Sequence, residues 1–138
     1  MNDVIVGVDK SATARRAADK AAALAASLDA NLHLVTCVPR KASQQLSSEG
    51  DSWFVSPKAD GDSFLNDLAA QLAHDRITIK VSFDDPATAM CTEAAELDAL
   101  MIVVGNRRVQ GVSRVLGSIA NEVLKQAPCD VLIANTTG

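Results

Sequence analysis

The sequence predicts an α/β fold, an open five-stranded parallel sheet in the order 3-2-1-4-5 with helices on both faces. Three observations predict it. Short apolar runs alternate with stretches of helical period along the whole chain. Several of these runs are continuously apolar, as strands buried on both faces are. Capping residues mark the points where helical period begins.

Taken in order, Val4-Ile5-Val6-Gly7-Val8 is the first strand, β-branched and unbroken by polar residues. It stops at Asp9-Lys10-Ser11, where Ser11 is an N-cap residue. Ala14, Ala18, Ala21, Ala25 and Leu28 then share one helical face, with Arg15, Arg16, Asp19 and Lys20 mostly outside it. A second strand spans Leu32 to Val38 and closes at Pro39. Arg40 to Ala59 has no period and is rich in Ser, Gln, Gly and Lys, a length at which loops are functional or mobile. Trp53 and Phe54 inside it predict an anchor for the loop or a lid for a pocket.

Asp62 to Ala73 reads as a shorter amphipathic helix through Phe64, Leu65, Leu68 and Leu72, followed by a strand from Ile77 to Phe83. Asp84-Asp85-Pro86 starts the next helix, Pro at the first helical position following an Asp cap, and it runs to Leu97. Leu100 to Val104 is a fully apolar strand ending at Gly105. A polar, basic loop from Asn106 to Arg114 precedes a helix that opens at Gly117-Ser118 and reaches Gln126. Ala127-Pro128 breaks it, and Val131 to Ala134 is the last strand.

A chain of 138 residues suits one domain, 1–138. Hydrophobic residues make up 48% and aromatics only 3%, with no Tyr, so Ala, Val and Leu build a core of closely approaching layers. The formal charge of −4 is too small for a disordered chain or a nucleic-acid-binding surface. Cys37, Cys91 and Cys129 are odd in number and widely spaced, with no Cys-x-x-Cys and no His nearby in sequence. That argues against a zinc site or a disulfide framework and for a reducing compartment. Met1-Asn2-Asp3 lacks the basic residues and long apolar run of a signal peptide, and Val4 to Val8 is too short to cross a bilayer. The expectation is a soluble, cytoplasmic protein with no membrane partner.

In such sheets ligands bind beyond the carboxyl ends of the strands where strand order reverses, here between the first and fourth strands. Asp9-Lys10-Ser11 and the loop from Gly105 meet at that point. Gly105 and Gly111 suit positive φ or close ligand approach. Gly117-Ser118 opens a helix, where free amides and the helix dipole attract anions. Residues 105 to 118 hold Arg107, Arg108 and Arg114 and no acid, so they carry +3 on an otherwise acidic chain. This is the composition of a phosphate cradle; ordinary turn glycines and solvated arginines would read the same way. No Gly-Lys-Ser/Thr sequence occurs, so it is not a Walker A loop.

Val6-Gly7-Val8-Asp9 with Ser11, the Asp85-Pro86 helix start, Val103-Val104-Gly105 through Gly117-Ser118, and Ala127-Pro128-Cys129-Asp130-Val131-Leu132-Ile133 together resemble the universal stress protein family. The likeness spans nearly the whole chain outside the 40–60 loop. It implies a Rossmann-like fold, usually a homodimer, with nucleotide-binding and non-binding branches. In the binding branch the resemblance implies that Asp9, with Val8 before it, lies beside the nucleoside. It implies that the backbone of Cys37 meets the adenine edge. It also implies that Gly105, Gly117, Ser118 and the amides of Ile119 and Ala120 hold the phosphates.

Three departures bear on the ligand. Lys10 replaces the usual Gly after the Asp, Arg108 stands where binders commonly have the loop's second Gly, and the stretch to Gly117 is one residue shorter. Arg108 either occludes the outer phosphates or, like Arg107 beside it, pairs with one. The expected ligand is ATP, with Mg²⁺ beside it, or AMP or cyclic AMP, which need fewer phosphate contacts. The alternative is a dimeric interaction module whose pocket Arg108 fills, with Val131 to Ala134 as the edge that pairs with a second copy. No catalytic residue and no metal-ligand cluster stands out, so an enzyme is not expected beyond slow incidental ATP hydrolysis. Asp9 also suits a plain helix cap, Cys37, Cys91 and Cys129 suit packing, and neither His33 nor His74 shows a catalytic partner in sequence.

Overall fold

The computed structural model describes residues 2–39, 57–106 and 117–136. Five strands and four helices alternate among them: β1 (Asp3–Gly7), α1 (Ala12–Ser27), β2 (Asn31–Cys37), α2 (Pro57–Gln71), β3 (Ile77–Ser82), α3 (Pro86–Leu97), β4 (Met101–Gly105), α4 (Ser118–Gln126) and β5 (Asp130–Ala134). The sheet is parallel throughout, in the expected order β3-β2-β1-β4-β5. Ile5 stands opposite His33 on one side and Ile102 on the other, so β1 is the central strand.

Side chains alternate across this sheet into two cores. Val4, Val6, Leu32, Leu34 and Val103 pack against α1 and α2. Ile5, Val35, Ile102 and Val104 pack against α3 and α4. The alanines of α1 do what composition predicts: Ala17, Ala18, Ala21, Ala22 and Ala25 are all buried, which lets the helix backbone lie close on the strands. Ser11 caps this helix, its hydroxyl accepting from the Ala14 amide at 3.1 Å. Asp85 caps α3 in the same way through the Thr88 amide, 3.2 Å away.

Most boundaries lie within a residue or two of those expected, and two expectations are corrected. Leu28 is not on the buried face of α1; it is the C-cap, and 37% exposed, because the helix has ended there. The helix after the long loop begins at Pro57, not Asp62, so residues 57–59, expected in the loop, are helical. Trp53 and Phe54 lie outside the described residues.

Candidate functional site

The carboxyl ends of β1 and β4 diverge as expected at the reversal of strand order, and a cavity of about 150 Å³ opens there. Asp9 and Ser11 border it from the β1–α1 turn, Gly105 and Asn106 from the end of β4, and Gly117, Ser118, Ile119 and Ala120 from the start of α4. Six of the expected site residues therefore meet in one place. Val8 and Cys37 line an adjoining cavity of about 120 Å³ beyond β1 and β2, together with Thr36 and Pro86. Gly7, Asp9, Ala14, Met90 and Ile119 border both cavities, so the two form one bipartite recess. Arg107, Arg108, Gly111 and Arg114 lie outside the described residues.

The two lobes differ in character. The lobe at β2 is apolar, built by Val8, Val35, Cys37 and Met90. Thr36 fixes its floor: the buried hydroxyl donates to the Val8 carbonyl at 2.8 Å, and the Val8 amide donates to Val35 O, also at 2.8 Å. Burial, with Asp85 and then Asp84 nearby, pushes the Cys37 thiol up to about 11, so at neutral pH it is an uncharged group.

The other lobe is the more polar of the two. The N-cap of α4 is Gly117, which has no side chain to make the capping hydrogen bond found at the starts of α1 and α3. Among the described residues no group outside the helix accepts from the first amides of α4, and the helix dipole favours an anion there. Asp9 faces the same lobe, its Oδ1 accepting from the Ser11 amide at 2.8 Å.

Of the two glycines that suit positive φ or close ligand approach, Gly105 does not take positive φ, and Gly111 lies outside the described residues. Gly105 ends β4 in extended backbone, and Gly117 has φ −69° and ψ 163°. At Gly105 the need is for space, since a Cβ would lie 3.2 Å from Thr136 Cγ2 and 3.4 Å from Thr13 Cγ2.

Sequence reasoning missed Met90, which borders both lobes, and Asn106 at the exit of β4. Asn106 is buried, and its Oδ1 accepts from the Thr136 amide at 2.9 Å. The Thr136 hydroxyl sits 2.7 Å from the Asn106 carbonyl and 3.0 Å from its Oδ1. Arg16 Nη1 donates to the Thr136 carbonyl at 2.8 Å. The exit of β4 is thereby tied to the end of β5 and to α1. The only sequence signal for this was Asn directly after a strand-ending Gly. Among the described residues no group of three or more His, Cys, Asp or Glu side chains is placed to hold a metal, and no helix is long and apolar enough to cross a membrane.

Comparisons agree with this architecture. The chain is 33% identical over 131 residues to Universal stress protein A homolog 2 of Coxiella burnetii, covering 87% of this chain and 84% of that protein. It superposes on a universal stress protein crystallised in complex with cAMP with a TM-score of 0.69 at 27% identity, covering 99% of this chain and 98% of the other. The universal stress protein UspA from Lactobacillus plantarum has the same fold, with a TM-score of 0.74 at 23% identity and 97% of both chains covered. Residues 1–135 match the sequence model of the universal stress protein family, and the chain belongs to that family.

Proposed function

We propose that this protein is a cytoplasmic regulator of the stress response that binds an adenine nucleotide in the bipartite recess and works by carrying it. The observation that carries the reading is the uncapped start of α4 opening on the polar lobe, directly beside an apolar lobe. In this reading adenine occupies the apolar lobe against Val8 and the Cys37 backbone, and the ribose lies by Asp9. The phosphate accepts from the amides of Ser118, Ile119 and Ala120. The similar protein that binds cAMP supports an adenine nucleotide with one phosphate; ATP, with Mg²⁺ held beside Asp9, extends the same arrangement. Three free cysteines support a reducing compartment. The protein acts as a homodimer through β5, an edge strand whose Leu132 is 42% exposed.

Mass spectrometry of freshly purified, denatured protein identifies a retained nucleotide directly. Thermal melting with ATP, ADP, AMP and cyclic AMP at millimolar concentration should show a rise for at least one of them. No retained nucleotide and no shift would leave the interaction-module reading. ATP hydrolysis that disappears on Asp9→Ala would replace the carrier with an enzyme.

A further inference from the structure

A third cavity, of about 180 Å³, lies on the other side of the β1–α1 turn, between α1 and α2. Asp9 and Ser11 border both this cavity and the polar lobe, so the two lie on either side of that turn. Two cations flank the cavity, Lys10 and Arg15, with Phe64 against one wall and Asp67 and Gln71 at its rim. The Lys10 ammonium stands 5.9 Å from the centre of the Phe64 ring and 3.4 Å from Asp60 Oδ2. Both ends of that ion pair are well exposed, so it is weak and exchangeable. Arg15 bonds Gln71 and, at 3.3 Å, Asp19.

An aromatic ring and a guanidinium plane beside side-chain acceptors are the means by which proteins hold an unpaired nucleobase. A lysine on the route in suits a phosphate chain. Resting on the reading of the recess given above, we propose that the cavity takes the second nucleoside of a dinucleoside polyphosphate. The first nucleoside sits in the recess and the bridging phosphates cross the β1–α1 turn, with Lys10 exchanging Asp60 for phosphate. The second base stacks on Phe64, and Asp67 accepts from its amino group.

Titration calorimetry with AMP, adenosine 5′-tetraphosphate and diadenosine tetraphosphate tests this. The dinucleotide should bind at least about ten-fold tighter than adenosine tetraphosphate, which carries the phosphate chain without the second nucleoside. Phe64→Leu and, separately, Asp67→Ala should remove that advantage and leave AMP affinity as in the parent protein. Asp67 is exposed, so its variant serves even where Phe64→Leu weakens the fold. Equal affinity for the two tetraphosphates, or an advantage that survives both variants, overturns the inference while AMP binding still stands. Failure of all three to bind overturns the reading of the recess itself.

Discussion

His33 Nε2 donates to Asp3 Oδ1 over 2.7 Å, with both side chains buried near the starts of β2 and β1. Asn31 Nδ2 donates to the same oxygen at 3.2 Å, and Thr78 of β3 meets the other ring nitrogen of His33. A carboxylate only accepts, so the bond to Asp3 puts a proton on His33 Nε2. Three strands are joined by this chain of bonds at the end of the sheet opposite the recess. Burial pushes the Asp3 carboxyl up, but the hydrogen bonds from His33 and Asn31 outweigh it and hold the group below its usual 3.8. Its folded value being the lower, the unfolded chain binds more protons in that range, and stability rises with pH. The contribution is present above pH 3.8 and is lost as pH falls through the folded value. Asp3→Asn should therefore flatten the acid limb of the unfolding curve followed by circular dichroism. His33→Ala, which leaves a buried carboxylate short of a donor, should cost about 3 kcal/mol in urea denaturation at pH 7.

Neither half of that pair was visible in the sequence, because Asp3 and His33 are 30 positions apart and no local period joins them. What was legible is what local physics dictates: the β-branched runs, the Ser11 and Asp85 caps, and the sheet order that alternation with right-handed crossovers imposes. The same rule located the recess at the reversal of strand order. Gly61 shows where it fails. Glycine is poor helix material, so the stretch before Asp62 reads as loop. In the fold Gly61 is buried inside α2, and a Cβ there would lie 3.1 Å from Val81 Cγ2 and 3.2 Å from Val38 Cγ1. The residue is chosen for contact with the sheet, a tertiary demand that overrides propensity.

Gly7 makes the same demand at the recess. A Cβ on it would stand 2.6 Å from Met90 Sδ, and the open space beside the buried Met90 is the recess it borders. Gly7→Ala should cost about 1–3 kcal/mol by overpacking. It should also weaken nucleotide binding, because the displaced thioether moves toward the waist of the recess. Adding Met90→Ala should restore part of both, as unfolding and calorimetry on the double variant would show. Unaltered nucleotide affinity in Gly7→Ala would separate Met90 from the site.

Cys37 offers a chemical readout. Raised from 9.0 to about 11, its thiol carries roughly 100-fold less thiolate near neutral pH than an ordinary cysteine. Iodoacetamide labelling followed by peptide mass spectrometry should be correspondingly slow at pH 7.5 and accelerate only as pH approaches 11. The raised folded value favours the protonated, folded state, so the linked stability is present below pH 9.0 and lost as pH rises toward 11. A bound adenine nucleotide should slow labelling further.

The β5 edge gives a test of assembly. Leu132 is 42% exposed, and Leu124 on the neighbouring α4 is 48% exposed. Leu132→Lys places a charge on the strand where a second copy would pair, a change that natural edges use to prevent such pairing. Light scattering should show a dimer for the parent protein and a monomer for the variant, with its melting temperature little changed. A parent protein that is monomeric at micromolar concentration would remove β5 pairing from the reading.

Asn106 connects stability to the polar lobe most directly. Its Oδ1 accepts the buried Thr136 amide, so Asn106→Ala leaves that donor without its partner and should cost about 2 kcal/mol. The same change frees the end of β4 from β5 just where the polar lobe begins, and nucleotide affinity should fall with stability. Asn106→Asp separates the two effects. It keeps an oxygen for the Thr136 amide and hydroxyl, so more of the stability should survive than in the alanine variant. It also puts a carboxylate beside the lobe proposed for phosphate, so affinity should fall further than stability does, and most for ligands with more phosphates. Calorimetry with AMP and ATP on both variants, beside their urea midpoints, reads the two quantities independently. Parallel losses in the two variants would mean that Asn106 serves the fold alone and that the anion sits elsewhere.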